Sequence, residues 1–180
     1  MSIFISIFER MMIHMKIYDI FEQKLFEAGY EAISNFLGYD YPEDEDNDVT
    51  SNRIQERYDE MSVEDFDEEF KKVVEGLIAY NINWDIDMDE VYEKLDEMTA
   101  KEASEALGVP YETYANMTTE ERHNYAYDSF RHNRSDLEEF MELPEEVRLP
   151  KELVDEDDIS DWLSDEYGYC HEGYNLKAVG

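Results

Sequence analysis

The chain of 180 residues carries 48 aspartates and glutamates against 15 lysines and arginines, a formal net charge of −33 at pH 7. Such a surface cannot wrap nucleic acid by neutralising phosphates, nor dock directly on an anionic membrane, because both need a field of Lys and Arg. Nor is the chain a solvated acidic tail: 42% of it is hydrophobic and 14% aromatic, enough to build one domain or two small ones sharing a core.

Ser2-Ile-Phe-Ile-Ser-Ile-Phe8 resembles a signal h-region. No basic segment precedes it, and Glu9, Arg10 and His14 follow without a small-residue cleavage site. Residues 1–14 are read instead as an extension upstream of a start at Met15, or as a loosely attached strand. From Ile17 the apolar positions Phe21, Leu25, Ala28, Ala32 and Phe36 step at helical spacing, and Gly38 closes the run. Asp40–Asp48 is turn-rich and reads as a surface loop. Ser62 with Asp65 approximates a capping box and opens a long helix over 62–80, with Val63, Phe66, Phe70, Val73 and Leu77 in one stripe.

A shorter amphipathic helix follows, marked by Met88, Val91, Tyr92, Leu95 and Met98. Thr99 with Glu102, and Thr118 with Glu121, are stricter capping boxes for two further helices, one ending at Gly108 and one near Phe130. Beyond residue 136 the period changes to two around Met141/Leu143, Val147/Leu149 and Tyr174/Leu176/Ala178. Between these short strands a helix runs through Ile159, Trp162, Leu163 and Tyr167 to Gly168. The expectation is an α+β protein, with a mainly helical domain over 15–135 and a small hairpin-and-helix unit over 136–180.

Chemistry-bearing motifs are scarce. Asp44, Asp46 and Asp48 stand at positions one, three and five of a calcium loop, but Val49 replaces the turn glycine and Gln55 the bidentate glutamate. Asp85, Asp87 and Asp89 fail in the same places, with Glu90 and Asp96. Lone Cys170 allows no internal disulfide, which fits a reducing cytosol. The adjacent Cys170 and His171 point to opposite faces of a strand, so no metal site is expected. Lys101–Tyr114 has the outline of a helix-turn-helix corner, yet its second helix offers Glu112 and Thr113 without a basic neighbour. It reads as a packing corner. Arg122, His123, Arg131, His132 and Arg134 form the only basic island, read as neutralising nearby carboxylates. His123 and His132 read as solvated or satisfied histidines; acid–base work on RNA would need one of them, or a carboxylate pair, held near a basic contact, and nothing in the spacing singles out a pair. No cofactor motif is present, and no catalytic residue is assigned.

The charge itself is the signal. Thirty-three net charges match those on roughly 56 Å of duplex, and carboxylates at i, i+4 on a helix are spaced about as far apart as successive phosphates. Overall size and charge resemble the DNA-mimicking anti-restriction proteins of phages and conjugative elements, and the acidic anti-CRISPR proteins that inhibit Cas9. The segment from Leu143-Pro-Glu-Glu-Val through Asp158-Ile-Ser-Asp-Trp-Leu-Ser-Asp-Glu-Tyr-Gly-Tyr-Cys170 to Tyr174-Asn-Leu, about a fifth of the chain, looks like a C-terminal module of small proteins from Gram-positive mobile elements. The resemblance implies a cytoplasmic inhibitor of a host defence nuclease. The chain lacks the evenly acidic pattern of the anti-restriction group, so type II-A Cas9, alone or with guide RNA, is the expected partner, without direct DNA binding. Damage to the guide RNA and anti-restriction mimicry are the alternatives. The carboxylates expected to matter are Asp67, Glu68 and Glu75 on the second helix, and Asp155, Asp157, Asp158, Asp161 and Asp165 near the C-terminus. Tyr167, Tyr169 and Tyr174 are the expected aromatic anchors.

Self-repulsion of this size destabilises a compact state, and salt screens it. The melting temperature is expected to rise as NaCl goes from very low to moderate concentration. A flat or falling curve in differential scanning calorimetry would mean that the charges are already paired or cation-bound.

Overall fold

The computed structural model describes residues 17–179, so the expectation for residues 1–14 lies outside them. The order of elements is a helix α1 over 17–28, α2 (Tyr30–Leu37), α3 (Asn47–Asp59), α4 (Val63–Val73), β1 (Leu77–Tyr80), α5 (Met88–Glu97), α6 (Ala100–Ala106), α7 (Tyr111–Ala115), α8 (Thr119–Phe130), α9 (Arg134–Phe140), β2 (Glu146–Arg148), α10 (Glu156–Tyr167) and β3 (Asn175–Ala178). The protein is α+β, as its periodicities imply. Among the described residues, no helix is long and apolar enough to cross a membrane.

Four local readings of the sequence need correction. Met141 and Leu143, expected in a short strand, lie in the turn after α9, where Glu142 takes a φ of 61°, and the strand is confined to Glu146–Arg148. The helix expected from Ile17 to Phe36 breaks at Gly29, whose φ of 88° lies in the left-handed region that ends a helix. The helix expected over 62–80 stops at Val73, and Leu77–Tyr80 is a strand with Leu77 and Ala79 buried. The β-branched pair Val73-Val74 and then Gly76 break the helix, and Leu77 falls on the inner face in either geometry. The loop expected through Asp48 is shorter, because Asp46 caps α3 by accepting the Asp48 amide at 2.9 Å. Asp87 does the same for α5 through the Asp89 amide, also at 2.9 Å. Each aspartate run thus starts a helix.

The strand β1 is central. The sheet order is β2-β1-β3, so the two C-terminal strands flank β1 and do not pair with each other. β3 runs antiparallel to β1, with Leu77 opposite Ala178 and Tyr80 opposite Asn175. The Leu149 amide donates to the Leu77 carbonyl at 2.9 Å on the other edge.

The chain divides into two compact units. One holds the described residues through Tyr80, Val147–Asp161 and the residues from Asn175; the other holds Asn81–Glu146 and Trp162–Tyr174. The first is centred on aromatic rings: Phe21 is fully buried, with Phe36 at 5.1 Å and Phe66 at 5.2 Å, both edge-on. The second is built around Trp84, fully buried, whose indole N–H donates to the Pro144 carbonyl at 3.0 Å. Both capping boxes form as the sequence indicates, and the Lys101–Tyr114 corner packs α6 on α7 with Tyr114 buried.

Arg134 ties the second unit together. Its guanidinium donates to the Trp84 carbonyl, and its Nε lies 2.9 Å from Oε1 of Glu138, a carboxylate only 7% exposed. Replacing Arg134 by Met strands that buried charge, and the expected loss is about 3 kcal/mol in urea unfolding. The double change Arg134→Met/Glu138→Leu should recover most of it. An Arg134→Met protein as stable as the wild type would refute this role.

Candidate functional site

Of the acidic residues singled out from the sequence, Asp67 on α4 and Asp155 ahead of α10 line one groove, and Asp158 lies near enough to act on Asp67; Glu68, Glu75, Asp157, Asp161 and Asp165 do not line it. Ser62 caps α4 by accepting the Asp65 amide at 3.2 Å, which turns Phe66 and Phe70 into the core and leaves Asp67 half-buried beside them. Asp155 accepts the amides of Asp157 at 2.8 Å and Asp158 at 3.4 Å, fixing the first turn of α10. Ile159 and Leu163 are fully buried on that helix, so Asp157, Asp158, Asp161 and Asp165 face solvent. Glu68 and Glu75 are exposed as well.

Between the two segments lies a groove of about 320 Å³, lined by Tyr58, Met61, Val63 and Phe66 with Asp59, Asp67 and Asp155. No Lys, Arg or His lines it among the described residues. The Tyr58 and Phe66 rings meet edge-on at 4.8 Å and form an aromatic wall. Burial pushes the Asp67 carboxyl above its ordinary range; Lys71, one turn on, opposes this, while Asp155, Glu64 and Asp158 add to it. Burial also raises the Tyr58 hydroxyl, with Asp59 reinforcing it. The groove is therefore anionic, aromatic-walled and short of cations.

The tyrosines expected as anchors are half-buried and engaged within the second unit. Tyr167 packs on Trp84 at 5.2 Å, and Tyr174 meets His171 edge-on at 5.2 Å. The Tyr169 hydroxyl is hydrogen-bonded to Glu90, and burial raises it. Tyr111, Tyr125 and Tyr127 are more exposed, at 54%, 39% and 46%, and the sequence reading passed over them. The signal for them was their position off the buried stripe of Tyr114, Ala126 and Phe130.

The basic island is largely occupied with its own unit. Arg122 stacks over Tyr114 at 4.6 Å, Arg131 pairs with Asp128 at 3.4 Å, and Arg134 holds Glu138. His123 places Nε2 3.1 Å from Oδ2 of Asp96, with the Tyr92 ring stacked on it at 4.4 Å.

Comparison of the chain with family models, with curated proteins and with solved structures finds no match.

The raised Asp67 carboxyl has a defined linkage. The folded state holds that proton more tightly than the unfolded one, so stability falls as pH rises through the raised range. Asp67→Asn is expected to melt at a higher temperature than the wild type at pH 7. The gain should vanish below the ordinary aspartate range, where both states are protonated. A variant equal to or less stable than the wild type at pH 7 would sink this reading.

Proposed function

We propose that the protein inhibits a host defence nuclease in the bacterial cytoplasm, with a type II-A Cas9, free or loaded with guide RNA, as its target. The observation that carries this reading is the groove at Asp67 and Asp155. A carboxylate is kept there against burial and three like charges, opposed by Lys71 one turn on, beside an aromatic wall and with no cation in the groove lining. Proteins keep such unfavourable arrangements where a partner supplies what is missing. The missing component is positive charge, which a nucleic-acid channel presents in quantity. The net charge steers the inhibitor toward such a channel, and the carboxylate rows of α4 and α10 take places that phosphates would occupy.

A second reading rests on the Asp96–His123 pair. An imidazole oriented by a carboxylate, with Arg122 next in the chain, is the equipment for acid–base damage to a guide RNA. Nothing comparable favours anti-restriction mimicry over Cas9.

Target-DNA cleavage by Cas9 with and without the protein, followed by a denaturing gel of the guide, separates these readings. Blocked cleavage with an intact guide is the expected result, whereas a shortened guide, restored by His123→Ala, would establish the second reading instead. Each exposed ion pair contributes only about 0.2–1 kcal/mol. Single changes at Glu68, Glu75, Asp157 or Asp161 should therefore alter inhibition little. Asn and Gln replacing Asp67, Glu68, Asp155, Asp157 and Asp158 together should weaken it at least about tenfold. Uninhibited cleavage by several nucleases of this class would overturn both readings.

A further inference from the structure

A second groove lies wholly within the other unit, among α5, α6, α8 and α9, and has about 440 Å³ of space. Half-buried Met98 and Phe140 supply its accessible apolar surface, alongside buried Leu107 and Phe130 (8% and 5% exposed), and the two phenyl rings lie 5.1 Å apart at 37°. Glu105, Asp136, Glu139 and Glu142 supply carboxylates, against Lys94 as the one cation in the lining among the described residues.

Lys94 shows how a cation sits in this groove. Its ammonium is 5.4 Å from the centroid of the Phe140 ring and 2.9 Å from Oε1 of Glu142, so one end of the groove already holds a ring-and-carboxylate arrangement. The rest has no such occupant. Asp136 and Glu139 are exposed, stand three residues apart on one face of α9, and have no ion-pair partner among the described residues. Glu105 has exposed Lys101, at 3.8 Å, as its one ion-pair partner among the described residues.

We propose that this groove is a seat for an arginine side chain presented by the protein's partner. The proposal rests on the reading of a basic partner given above and names a contact within it. An arginine stem covers the half-buried Met98 side chain, and its planar guanidinium lies against the part of Phe140 left accessible beside Lys94 while its N–H groups reach Asp136 and Glu139. A lysine makes a weaker occupant, because a compact ammonium neither stacks nor forks between two carboxylates. A bare metal ion leaves the aromatic surface unused. Asp67 and Asp155 line the first groove, so the two sites can be changed separately.

The test uses the full chain and a small probe, acetyl-Gly-Arg-Gly-amide, followed by NMR of the Phe130 and Phe140 ring signals. These signals should shift saturably. The lysine analogue should bind more weakly, and the norleucine analogue should leave them unmoved. Asp136→Asn/Glu139→Gln replaces two exposed side chains with near-isosteres. It should weaken arginine-peptide binding about tenfold. Glu43→Gln/Asp44→Asn removes the same charge from an exposed loop of the other unit and should change binding less than about twofold. Equal losses in the two variants, or equal shifts over every acidic face, would refute the seat whether or not the protein inhibits a nuclease. Groove-specific binding in a protein that inhibits no nuclease would uphold the seat and remove the functional reading.

Discussion

Cations are the scarce component of this molecule, and much of its architecture follows from that scarcity. With 15 lysines and arginines for 48 carboxylates, most acids must be accommodated without an ion pair. Helix N-termini accommodate several, because their free amides and positive dipole ends stabilise negative charge. Thr99 and Thr118 donate to Glu102 and Glu121, and these hydrogen bonds hold both carboxyls below their ordinary range. Asp46, Asp87 and Asp155 accept amides at the starts of α3, α5 and α10. Arg134 is used where a cation is hardest to replace, on a buried glutamate and a tryptophan carbonyl. What repulsion remains is opposed by aromatic packing, around Phe21 in one unit and around Trp84 in the other.

This allocation also explains which elements were legible in the sequence. Capping boxes are local and chemically specific, so the starts of α6 and α8 could be placed to the residue. The α5 and α10 helices carry dense apolar stripes and were equally plain. The α3 helix was hidden because its inner face is sparse: Thr50 and Ile54 are buried and Tyr58 half-buried, among charged neighbours. The β1 strand was hidden for a different reason. Leu77 continues the spacing of Phe66, Phe70 and Val73, so helix and strand make the same demand on that position. Only the pairing of Leu77–Tyr80 with a segment nearly 100 residues later, a nonlocal fact, resolves it. The units themselves are assembled from separated segments, which follows from the same pairing.

The candidate site was legible as chemistry and illegible as geometry. Asp67 and Asp155 stood out as acids on exposed faces, but nothing in their spacing placed them in one groove with Tyr58 and Phe66. The tyrosines near the C-terminus were conspicuous by composition, yet Tyr167 and Tyr174 pack on Trp84 and His171 of their own unit. An aromatic residue in an acidic context carries two meanings, core or contact, and the helix stripe separates them better than local composition does. On α8, Ala126 and Phe130 define the buried stripe, and Tyr125 and Tyr127 fall outside it.

An evenly spread charge and a charged groove contribute differently to association. At physiological ionic strength the screening length is about 8 Å, so the field of distant carboxylates mainly hastens encounter and fades on added salt. How long a complex persists depends on contacts that lose their water, and exposed carboxylates on α4 or α10 lose little of it. The grooves combine charge with surface that can be dried: Tyr58 and Met61 beside Asp67, and Met98 and Phe140 beside Asp136 and Glu139. A cation entering either one exchanges water for a ring and a carboxylate at once. On the proposed function, the number of acidic residues would govern the rate of capture, and the few beside aromatic walls its duration. A protein with the same net charge and neither groove would associate as quickly and separate far sooner.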